Sequence, residues 1–204
     1  MLLALTIGAC GHGERPAADS TVQQSGARTA PVFEAGLWLG EGIPVINAVR
    51  AELPLLRAPS PDAASAGTLS TPTGSRITYD STRLQTVKPA TVRVTDSAAV
   101  HGRLLGRVHL LSRDRYYSDE FRDTTISLAP SERFEYLQAR AEGSCFVRID
   151  SSLVEANPCP THDSASFAVS GEPELRWWIF VTSDSASGWL LVSDSTAKVV
   201  RREF

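Results

Sequence analysis

An excess of positive charge is missing from this chain of 204 residues. Twenty Lys and Arg stand against 23 Asp and Glu, a net charge of −3 with a pI near 5.8. That balance offers no electrostatic footprint for nucleic acid or anionic lipid, and nucleic acid is excluded as a partner. Long apolar runs are also scarce. The opening stretch Met1–Ala9 is uncharged but short. As a helix rising 1.5 Å per residue it would reach about 14 Å, against a hydrocarbon core of about 30 Å, so it cannot span a bilayer. No phosphate loop, paired-glycine dinucleotide fingerprint, His-Glu-x-x-His or Gly-x-Ser-x-Gly elbow occurs, so no enzyme is expected and no catalytic residue is assigned. Cys-x-x-Cys spacing is absent as well, and only His162 lies near Cys159, so neither a metal site nor a cofactor is expected. From Val45 onward sustained helical periodicity is lacking too.

What is present is a composition able to build a core, 42% hydrophobic and 21% charged, arranged in short apolar or alternating runs broken by Gly, Pro, Ser and Asp. The expected strands are 45–49, 53–57, 76–79, 91–95, 103–111, 134–140, 145–149, 177–182, 189–192 and 198–200. An all-β chain is the consequence. Residues 10–31 are small, polar and aperiodic and read as a flexible tether, while the charged stretch 118–123 reads as a linker. This divides the folded part into a domain at 32–117 and another at 124–204, with one larger β domain as the alternative.

Ile7-Gly8-Ala9-Cys10 resembles the bacterial lipobox, in which an aliphatic residue and two small ones precede the cysteine that becomes lipid-modified. The resemblance makes residues 1–9 the end of a signal peptide and Cys10 the lipid attachment site. No Lys or Arg precedes the apolar run, so the positive region of such a signal is expected upstream of Met1. Gly11 after the cysteine favours the outer membrane, facing the periplasm, with the lipid on Cys10 as the link to the membrane. Acyl chains anchor at about 0.8 kcal/mol per buried methylene.

With Cys10 lipidated, Cys145 and Cys159 remain. A compartment outside the cytosol permits a disulfide between them, and a loop of that size contributes up to about 3 kcal/mol. Two buried free thiols or two metal ligands are the alternatives.

Two parts of the chain resemble bacterial Src homology 3 (SH3) domains. Leu53-Pro54-Leu55-Leu56-Arg57-Ala58-Pro59-Ser60, then Ala66-Gly67-Thr68-Leu69 and Thr73-Gly74-Ser75-Arg76-Ile77-Thr78-Tyr79, follow that family's order of strand, Pro-Ser turn and Gly-led strand. The family's closing Gly-Trp pair is absent at Gly102. Trp177-Trp178-Ile179-Phe180-Val181, a polar turn and Gly188-Trp189-Leu190-Leu191-Val192 resemble the last hairpin of such a barrel. The resemblance implies two small SH3-like barrels in tandem and a non-enzymatic binding or scaffold module of the cell envelope. Its partners would be envelope proteins or peptidoglycan. Trp177, Trp178 and Trp189 are the candidate recognition aromatics, since adjacent strand residues point to opposite faces and one of Trp177 and Trp178 can meet a partner. Arg103, Arg107, Arg113 and Arg115 form the densest basic stretch. The second reading, an exported hydrolase with an unrecognised site, would bring His101 or His162 together with a carboxylate and a serine.

Overall fold

A computed structural model describes residues 30–36, 43–106, 108–110, 116–118, 121–161 and 165–203. Cys10, the signal segment 1–9, most of the tether, His12, the Leu37-Trp38-Leu39 run and His162 lie outside them, as do the side chains of Arg107, His109, Arg113 and Arg115. The chain is all-β. In order the strands are β1 (Phe33–Ala35), β2 (Ile43–Ala48), β3 (Glu52–Leu56), β4 (Ser65–Ser70), β5 (Arg76–Ile77), β6 (Ser81–Lys88), β7 (Ala90–Val94), β8 (Ala98–Leu105), β9 (Val108–Leu110), β10 (Tyr116–Ser118), β11 (Phe121–Leu128) and β12 (Arg133–Ala139). After a single helical turn at Ala141–Gly143 come β13 (Cys145–Ile149), β14 (Ser152–Ala156), β15 (Phe167–Ser170), β16 (Glu174–Thr182), β17 (Ser187–Val192) and β18 (Ala197–Glu203). Among the described residues no helix is long and apolar enough to cross a membrane.

Period-two alternation explains the strands most directly. In β7, Ala90, Val92 and Val94 are buried while Thr91 and Arg93 face out; in β3, Leu53 and Leu55 are buried between exposed Glu52 and Pro54. β6 breaks the pattern, with Leu84, Gln85, Thr86 and Val87 all buried in succession. That strand is covered on both faces, so it carries no alternation to read.

Three main sheets result, ordered β1-β6-β16-β17-β3-β4, β18-β2-β5 and β11-β8-β14-β13-β12-β7-β15, and among the described residues none closes into a barrel. The six-stranded sheet draws on both sides of residues 118–123. β16 pairs with β6, Trp177 opposite Leu84, and β17 reaches β3 at Trp189 and Leu56. Pairing therefore does not divide where a linker was expected. Phe121–Asp123 are themselves the start of β11, paired in register with β8 from Phe121 opposite Leu105. Charge at Arg122 and Asp123 suits an exposed strand face as well as it suits a linker.

The six- and three-stranded sheets enclose one apolar cluster, with Ile46, Leu53, Leu55, Ile179 and Leu190 at its centre. The seven-stranded sheet wraps a second, in which Val92, Phe134, Val147 and Val154 pack with Val100 and Leu128 from the other end of the sheet. Each fully buried Leu, Ile or Val contributes about 1.5–3 kcal/mol. A third, smaller cluster joins the two bodies: Phe33 and Ala35 of β1 meet Leu105, Leu137 and Phe146, the Phe33 and Phe146 rings lying 5.0 Å apart. A bulge between Tyr136 and Gln138 lets the sequence neighbours Leu137 and Gln138 both reach this seam. There Gln138 Nε2 donates to Leu84 O at 3.0 Å and Thr86 Oγ1 donates to Leu137 O at 3.0 Å. Buried polar groups that each find a partner fix the register of two sheets where apolar packing alone would let them slide.

Candidate functional site

The hairpin of β16 and β17 sets the first candidate surface. Trp177 and Trp178 do turn to opposite faces, but both are used in packing. Trp177 lies half-buried against the core between the six- and three-stranded sheets. Trp178 is fully buried, its Nε1 donating to Gln85 Oε1 at 2.9 Å. Gln85 in turn donates through Nε2 to Glu34 Oε2 at 2.6 Å and to Pro59 O at 2.7 Å. This amide thus ties the Pro59 loop and β1 to the Trp178 face of the sheet.

Trp189, like Trp177, is partly open, but it lies on the opposite face of the sheet from the apolar cluster. It stands opposite Phe180 across the hairpin, ring centroids 5.3 Å apart and planes at 67°, in the edge-to-face arrangement that aromatic quadrupoles favour. The Arg83 guanidinium lies 5.4 Å from the Trp189 centroid, within cation–π range, and its Nε lies 3.6 Å from Glu34 Oε1. Glu34, Arg83, Trp189 and Phe180 therefore run as a connected patch on the sheet face that turns away from the apolar cluster. Gly188 makes the patch possible by closeness of packing. A Cβ there would sit 2.8 Å from Leu56 O and 2.9 Å from Ala66 Cβ, so only glycine lets β17 approach β3 and β4. The Gly-Trp step signals hairpin seating, with the tight bend left to the Ser183–Ala186 turn, closed by Ser183 N donating to Ala186 O at 2.9 Å.

A second candidate lies on the outer face of the seven-stranded sheet, a cleft of about 350 Å³. Its base holds Arg140 and Glu155, whose side chains are 13% and 14% exposed and whose Nε and Oε1 lie 3.0 Å apart, close enough for an ion pair but without hydrogen-bond alignment. The Arg140 guanidinium also covers the Phe146 ring at 5.0 Å. At the mouth, Arg103 Nε faces Asp123 Oδ1 at 4.0 Å, both exposed. Of the basic stretch, Arg103 is the described member, and it lines this cleft. Arg140 follows β12 while Glu155 and Asn157 stand at the end of β14, so only the sheet order brings them together and no sequence motif groups them.

Cys145 and Cys159 form a disulfide, buried in the core of the seven-stranded sheet, with Cα atoms 5.3 Å apart. It ties the first residue of β13 to the segment after β14. Cys159 N donates to Gly143 O at 2.7 Å and Arg140 N to Ser144 O at 2.8 Å, so the rim of the cleft is held covalently and by backbone bonds.

Among the described residues, His101 and the serines of the β16–β17 hairpin region make local contacts. His101 Nδ1 lies 3.0 Å from Thr125 Oγ1 on the neighbouring strand, Ser183 bonds within its own turn to Ala186, and Ser193 bonds to Thr196. Among the described residues no group of His, Cys, Asp and Glu is arranged to hold a metal ion. Burial raises the Tyr136 phenol above its usual value of 10.0, offset in part by a hydrogen bond with Thr161, with Glu172 adding a smaller upward push. No protein-family model, curated protein or solved structure matches the chain.

Proposed function

We propose that this protein is a lipid-anchored, non-enzymatic binding module of the bacterial cell envelope, held by Cys10 at the outer membrane and facing the periplasm. Its recognition face is the patch of Arg83, Trp189 and Phe180. In this reading the SH3-like character belongs to one unit, built from 43–88 and 174–203 around a shared core, with 90–170 as an inserted second body. The pairing of β17 with β3 supports one split unit over two in tandem, because the Gly188-Trp189 step missing from the first half of the sequence is seated on that half's own strand. The buried Cys145–Cys159 disulfide supports an oxidising compartment, and the lipobox-like Ile7–Cys10 with the tether after it supports a membrane anchor.

The observation that carries the binding role is the cation–aromatic stack at Trp189, a partly open ring held by Phe180 and Arg83 on an outer sheet face. Aromatic and guanidinium groups are what dominate protein recognition sites. The test is binding of the folded protein to purified peptidoglycan sacculi and to solubilised envelope proteins. Trp189→Ala should reduce retention on one of the two by about tenfold while leaving the fold intact. Equal retention of wild type and variant on both would refute this face as the recognition surface.

A further inference from the structure

We propose that the cleft on the outer face of the seven-stranded sheet is a saccharide-binding site, separate from the Trp189 face. Its volume of about 350 Å³ falls at the lower end of small-molecule sites, about 300–1,000 Å³. Its lining decides the ligand class. The charges come as pairs of opposite sign: Arg140 with Glu155 at the base, 3.0 Å apart, and Arg103 with Asp123 at the mouth, 4.0 Å apart. The largely buried Arg140–Glu155 pair presents a held planar donor and acceptor, and the exposed Arg103–Asp123 pair at the mouth adds groups of both kinds with little net charge. The Ser144 hydroxyl and the Asn157 amide, both lining the same space, add groups able to donate and accept.

Such a surface matches a neutral ligand carrying many hydroxyls, each of which both gives and takes a hydrogen bond. An anion such as phosphate would compete with Glu155 for Arg140, and an ammonium would compete with Arg140 for Glu155, each disturbing a largely buried ion pair. Glu142 at the lip adds a further charge against anions.

A further observation supports a built site: the rim is preorganised. The disulfide follows Ser144 directly and closes just after Asn157, Asn157 N donates to His101 O at 2.9 Å, and Gly102 brings β8 so close to β14 that a Cβ would fall 2.2 Å from Glu155 O. A rigid cleft loses less entropy on binding.

The experiment is a titration of the oxidised, isotope-labelled protein, followed by amide chemical shifts, with chitotriose, maltotriose and mannotriose as saccharides and inorganic phosphate and dialanine as controls. The expected result is saturable shifts at Gly102, Ser144, Glu155 and Asn157 with at least one saccharide and none with the controls. Glu155→Gln should then weaken that binding about tenfold. Should Glu155→Gln fail to fold, Ser144→Ala provides the same reading from a second lining residue. Trp189→Ala should leave the saccharide affinity unchanged, which separates this site from the proposed recognition face. No saturable shift with any of the three saccharides, tighter binding of phosphate or dialanine, or equal weakening by Trp189→Ala would each overturn the proposal.

Discussion

Trp178 gives its indole N–H to the side-chain oxygen of Gln85 at 2.9 Å, and the same glutamine gives its own N–H groups to Glu34 and Pro59. One buried amide thereby connects β16, β6, β1 and the loop before β4. Gln85→Leu keeps the volume but strands the indole N–H, and the expected loss is about 1–3 kcal/mol in urea unfolding. Paired with Trp178→Phe, which removes the donor, the two costs should add to clearly less than their sum. Strict additivity would show that the hydrogen bond contributes nothing.

The Cys145–Cys159 disulfide closes a short loop in the core of the seven-stranded sheet. Replacing both residues with Ala should cost about 3 kcal/mol on the chain-entropy scale. Denaturant midpoints of the oxidised wild type and the double variant measure it. An unchanged midpoint would mean that the backbone bonds of the rim hold the turn unaided.

Gly188→Ala introduces a methyl carbon 2.8 Å from Leu56 O and 2.9 Å from Ala66 Cβ. A destabilisation of about 1–3 kcal/mol is expected from overpacking. Ser187→Ala, one residue away and exposed, serves as the control and should stay within about 0.5 kcal/mol of wild type. Equal effects at the two positions would dismiss close seating of β17 as the reason for the glycine.

Burial holds the Tyr136 phenol above 10.0 in the folded state, whereas the unfolded chain ionises near 10.0. Its contribution to stability is therefore complete below pH 10 and is lost as the pH rises from there through the folded-state value, since the unfolded state releases its proton first. Tyr136→Phe should flatten the fall of unfolding free energy above pH 10. An alkaline limb identical to wild type would place the pH dependence on other groups.

Strand existence was legible for several short apolar or alternating runs: Cys145–Ile149, buried at four of its five positions, agrees residue for residue, and β3, β7 and β12 are displaced by one, whereas the part-exposed β4, β14 and β15 carry too few apolar residues to stand out. β6 escaped notice because Leu84 to Val87 are buried on both faces and Gln85 and Thr86 read as surface residues until a partner is seen for each. β11 escaped because its start looks like a charged linker. Order along the chain also misled. Gly188-Trp189 was legible as a closing hairpin, but nothing local says that it closes on Leu56, more than a hundred residues earlier. Of the aromatics, the opposite facing of Trp177 and Trp178 follows from strand geometry alone, while the full burial of Trp178 and the half-burial of Trp177 depend on the layers covering each side. The cleft was illegible for the same reason as the split unit, since Arg103, Arg140 and Glu155 meet only through sheet order.

An exported chain anchored by Cys10 is the claim on which the envelope reading depends, and mass spectrometry of the protein taken from its native host tests it most directly. The account predicts a mature N-terminus at a diacylated or triacylated Cys10, together with a linked peptide pair containing Cys145 and Cys159. An unmodified Cys10 inside a longer N-terminal peptide, with free thiols at both other cysteines, would contradict it.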